Sequence, residues 1–146
     1  CVGRLTQFAE TGDGRYLVQL TGIARFQLVE ELPQTQLYRE ARITATPYSV
    51  DFTPRAGEDG VDRDALVRTL RSYLDANNLQ ADWNAIGEAA TEALVNALAM
   101  MSPFDVREKQ ALLEAATLKE RADILVAITE IELAKRAGGG SETPLQ

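Results

Sequence analysis

Histidine is absent from this 146-residue chain, cysteine occurs once and lysine three times. Without an imidazole there is no Ser-His-Asp or Cys-His nucleophile system, and the commonest zinc ligand is lost. One cysteine, Cys1, cannot close an internal disulfide, which points to a reducing cytoplasm. No apolar run approaches the ~20 residues of a membrane-spanning helix. The densest stretch, residues 89–101, is interrupted by Thr91, Glu92 and Asn96 and reads as a buried helix. Residues 1–15 have neither the basic leader nor the apolar centre of a signal peptide. The phosphate-cradling pattern G-x-x-x-x-G-K-S/T is missing, as is a G-x-G-x-x-G between strand and helix. No cofactor and no metal is therefore expected. The chain begins at Cys1, inside what reads as a strand, so native sequence is expected upstream, closing strand edges that would otherwise invite aggregation.

What is present is an ordinary globular balance, 45% hydrophobic and 25% charged. The net charge of −7 is unevenly placed. Residues 1–55 carry six basic and six acidic side chains, whereas 56–146 carry nine basic against sixteen acidic. An acidic back half repels phosphate backbones and argues against nucleic acid as a partner.

Residues 1–48 alternate like strands. Thr11-Gly12-Asp13-Gly14 marks a tight turn, and Tyr16, Val18 and Leu20 follow at period two. Gly22 is expected to break that run. A third segment resumes at Ala24 and stops at Pro33, and a fourth spans Tyr38 to Tyr48. Four short strands predict an antiparallel meander or part of a small barrel. Residues 49–61, with Pro54, Gly57 and Gly60, read as a linker loop.

From 62 to 137 the period becomes helical, and the fold class is α+β with about four helices. The spacing predicts a first helix from Asp62 to about Asn77 and a second capped by Asp82 that runs unbroken to about Ala99. A third, about Pro103 to Ala115, is expected to use Ser102 and Asp105 as its capping box. Thr117-Leu118-Lys119-Glu120 opens the last helix, which carries Leu118, Ala122, Leu125 and Ile128 inward to about Arg136. Gly138-Gly139-Gly140 ends it, leaving residues 138–146 as a disordered tail.

Asp62 and Asp64, near Glu58 and Asp59, read as a helix amino end and a wet loop rather than a metal or acid–base cluster. Lys109, Lys119 and Lys135 fall at solvent-facing helical positions, which argues against a Ser–Lys dyad. Arg4, Arg15, Arg25, Arg39 and Arg42 read as scattered solubilising charge. Trp83, Met100, Met101 and Phe104, with Arg25 from the strand half, are the candidate peptide-binding residues, since methionine-rich surfaces adapt to varied partners.

Glu108-Lys109-Gln110-Ala111-Leu112-Leu113-Glu114, then Thr117-Leu118-Lys119-Glu120-Arg121 and Leu125, resembles the Lon protease amino-terminal domain. Val2-Gly3-Arg4-Leu5, Asp13-Gly14-Arg15 and Leu20-Thr21-Gly22-Ile23-Ala24-Arg25-Phe26 are similar to the strand half of that family. The resemblance implies a partial PUA-like β-barrel, lacking its first strands, followed by a helical subdomain. It also implies a stand-alone bacterial Lon-domain protein that binds unfolded polypeptide or a protein partner. It offers no catalytic motif to transfer, so the expectation is a non-enzymatic module serving as a protein quality-control adaptor. An RNA-binding PUA-like module and a structural domain that forms homo-oligomers are the alternatives.

Overall fold

The computed structural model describes residues 1–138, so the expected tail beyond Gly138 lies outside the described residues. The chain divides into two compact units, Cys1–Pro54 and Arg55–Gln146.

The first unit is built from four strands: β1 (Val2–Glu10), β2 (Tyr16–Ala24), β3 (Gln27–Glu31) and β4 (Ala41–Thr44). They form two separate antiparallel pairs, β1 with β2 and β3 with β4, and no closed barrel among the described residues. The β1–β2 turn needs positive φ at Gly12 and Gly14, where a side chain would be strained. Thr11 tightens it by donating its hydroxyl to Asp13 and its N–H to the Arg15 carbonyl.

Gly22 does not end β2, contrary to the sequence expectation, because it sits opposite Gly3 within the ladder. The break comes at Arg25 and Phe26. There the Arg25 N–H donates to the Asp51 carboxylate at 2.9 Å, away from any strand partner. The fourth segment is also shorter than the alternation implied. Only Ala41–Thr44 pairs, and a 3-10 helix (Thr46–Phe52) takes over at Pro47.

Among the described residues, the second unit holds a short 3-10 helix (Glu58–Gly60) and five α-helices: α1 (Arg63–Ala76), α2 (Trp83–Glu88), α3 (Thr91–Met101), α4 (Val106–Glu114) and α5 (Leu118–Gly138). Asp62 caps α1 by accepting from the Ala65 N–H at 2.8 Å. Asn78, at φ 53, stops it one residue past its C-cap, Asn77. The single helix expected from Asp82 to Ala99 is instead two. Ala89 and Ala90 adopt extended backbone, and Arg63 donates to the freed carbonyls of Ile86 and Gly87 and to the Thr91 hydroxyl. Glu58 accepts the Glu92 N–H at 2.8 Å and so caps the restarted helix.

The cap of α4 is likewise displaced. Asp105, not Ser102, accepts the Glu108 N–H, and Glu108 returns the bond to the Asp105 N–H. Pro103 therefore lies in the link before the helix. Thr117 caps α5 by accepting from the Glu120 N–H, while the Glu120 carboxylate reaches back to the Ala116 N–H.

One apolar core joins these helices. Leu66 of α1, Leu94 and Val95 of α3, Phe104, Leu112 of α4, and Leu118, Ala122 and Leu125 of α5 are all buried together. Arg121 crosses this region and donates to the Leu112 carbonyl and to the Asn96 amide oxygen at 2.6 Å. The bond to Leu112 satisfies a carbonyl at the carboxyl end of α4, and the bond to Asn96 ties α5 to α3.

Candidate functional site

Among the described residues of the helical unit, the α3–α4 junction carries the three most exposed large apolar side chains, with Leu79 and Ile131 exposed singly elsewhere. α3 ends at Met101, its C-cap Ser102 has extended backbone, and Pro103 prevents the helix from continuing. Phe104 then folds back into the core at 7% exposure and anchors the link from beneath. Either side of that anchor, Met100 (72%), Met101 (81%) and Val106 (85%) stand out. Leu113, seven residues after Val106, shares its helical stripe and is also exposed. Leu112, about 100° round α4 from Leu113, is buried. Lys109 reaches across the junction towards the Met100 carbonyl at 3.4 Å.

Of the residues expected to contact peptide, Met100 and Met101 thus lie together at the surface. Phe104 is beside them in sequence but belongs to the core. Trp83 begins α2, half-buried, with the Arg71 guanidinium 4.5 Å from its ring centre. Arg25 is in the other unit and is buried. Its guanidinium meets Asp51 at 2.7 Å and lies 4.4 Å from the Tyr48 ring centre. It ties β2 to the 3-10 helix.

A second exposed apolar surface was not named from the sequence. In the β1–β2 pairing Leu5 is opposite Leu20, and Phe8 is opposite Val18. The irregularity between Leu5 and Gln7 adds one residue, which puts Leu5 and Phe8 on one face despite their odd spacing. Tyr16 joins them, its ring stacked on Phe8 at 4.9 Å. All five side chains are at least half exposed. Period two reveals Tyr16, Val18 and Leu20, but the bulge that aligns β1 has no signature in the residues.

A cavity of about 20 Å³ among Leu66, Tyr73, Leu98, Phe104, Leu125 and Thr129 has room for about one water. An open cleft between α1 and α5 is lined by Asp62, Ala65, Ala122, Asp123, Val126, Ala127 and Glu130. Among the described residues no group of three or more carboxylates and cysteines is placed to hold a metal ion. Lys119 is engaged with Asp123 rather than with a serine. Among the described residues no helix is long and apolar enough to cross a membrane.

Residues 1–130 match the family described as the ATP-dependent protease La (LON) substrate-binding domain, and the chain belongs to that family. The matched region spans both units, so the strand half and the helical half are parts of one domain type. Its role is substrate binding, and it is not the catalytic part of such proteases. A comparison with curated proteins finds no match.

Proposed function

We propose that this chain acts without catalysis as a receptor for unfolded polypeptide, serving as an adaptor in cytoplasmic protein quality control. The observation that carries this reading is the exposure of Met100, Met101 and Val106 around a buried Phe104. A rigid anchor beneath flexible thioethers suits apolar segments of varied shape. The family's substrate-binding role supports the same class of partner. A lone cysteine supports a reducing compartment.

The test is binding of fluorescently labelled, denatured casein, followed by anisotropy. The variant with Met100→Ser, Met101→Ser and Val106→Ser should bind about a hundredfold more weakly, since the three sites each lose roughly 1 kcal/mol of apolar burial and every ~1.4 kcal/mol is tenfold. Equal affinity for both proteins would remove the junction from the binding surface. Cleavage of the casein, with or without ATP, would refute a non-catalytic role. Affinity should change little with salt, whereas an RNA-binding module would weaken steeply as salt rises.

A further inference from the structure

Helix α2 differs from its neighbours in how it is held. It has six residues, fewer than two turns, and buries none of them completely. A helix this short has no stability of its own in water and depends on outside contacts. Those contacts come from one side of α1. Arg63, in its first turn, donates to the Ile86 carbonyl at 2.6 Å, the Gly87 carbonyl at 3.2 Å and the Thr91 hydroxyl at 3.0 Å. Arg71, two turns on, lies over the Trp83 ring. One arginine therefore holds the carboxyl end of α2 and the other its amino end. Only Ile86 adds an apolar contact to the edge of the core.

Both flanks are shaped as pivots. Before α2 the chain passes through Asn78 in the left-handed region, and after it through the extended Ala89–Ala90 link. Beyond each pivot the structure is firmly capped. Asn77 closes α1 onto the Tyr73 carbonyl, and Glu58 closes the amino end of α3.

We propose that α2 is a hinged flap that swings off α1 as a unit while the remaining helices stay folded. Its release empties the aliphatic site filled by Ile86 and adds that site to the surface that binds polypeptide. This second clause rests on the polypeptide-binding reading above; the flap itself does not. A partner that binds the open form must raise its population.

Hydrogen exchange of the whole protein, resolved by segment, tests both clauses. In the free protein, amides of 83–88 should exchange at least about tenfold faster than those of α1 and α3. Arg63→Gln and Arg71→Gln should each speed 83–88 further and leave α5 unchanged. Uniform rates across α1, α2 and α3, or a variant that speeds every helix alike, would overturn the flap. If Arg63→Gln fails to fold, the wild-type pattern and Arg71→Gln still decide the matter. Adding denatured casein should raise exchange in 83–88. Casein that binds yet leaves or slows those amides overturns the coupling. Casein that does not bind at all defeats the polypeptide-binding reading and the coupling with it, while the free-protein rates still judge the flap.

Discussion

Arg25 ties the longest hairpin of the strand unit to the 3-10 helix that follows β4. Its backbone N–H and guanidinium both meet Asp51, whose side chain is only 18% exposed. Arg25→Ala would leave that carboxylate partly covered without its charge partner, costing about 3 kcal/mol in urea denaturation. Arg25→Lys should recover only part of the loss, because an ammonium cannot reproduce the forked contact. Glu58 is a second such residue. The Glu92 N–H and then the Arg55 side chain hold its carboxyl below the usual carboxylate value. A folded-state pKa lowered in this way contributes stability above the unfolded value and loses it as pH falls through the folded one. Acid titration of the fold should therefore show Glu58→Gln to be less stable at neutral pH, with the gap to wild type closing in acid. A gap that persists unchanged in acid would mean that charge plays no part.

At the scale of elements, the ends of helices decide the architecture of the second unit. Asp105 and Glu108 exchange bonds to start α4, and Asp105→Ala should lower stability by about 1 kcal/mol. Ser102→Ala, at the cap the sequence favoured, should change it far less, and the pair of melting curves separates the two assignments. Leu112, at 2% exposure, is the contribution of α4 to the core. Leu112→Ala should cost about 3 kcal/mol in the same measurement through lost burial and the cavity left behind. The capping residues of α1, α2 and α5 were all visible in the sequence, because a cap is a local bond between residues two or three apart, whereas the cap of α4 was read three residues early, at Ser102. The break at Ala89–Ala90 was not. It depends on Arg63 and Glu58, whose bonds to this region span 23 and 34 residues along the chain.

At the scale of the whole molecule, an acidic chain with pI near 4.6 carries an apolar hairpin face and an apolar helical junction. Repulsion between molecules fades near that pH, so light scattering should peak there. Leu20→Lys, which puts a charge in the middle of the hairpin face, should reduce the peak. Scattering that ignores both pH and this substitution would show that the face does not drive association.

Composition excluded histidine-based catalysis and the common zinc sites, and the change of period near residue 61 separated strands from helices. The ordered motifs from Val2 to Leu125 pointed to the family before any coordinates did. These are properties of residue type and short spacing, which the chain carries at every point. Which apolar residues face inward is a different matter. Phe104 and Met101 look alike in the sequence, yet one anchors the core and the other stands in solvent. Arg25 and Arg42 look alike too, yet one is buried against Asp51 and the other meets Glu30 at the surface. Burial is set by what distant segments bring to each position, so only the tertiary structure could assign it.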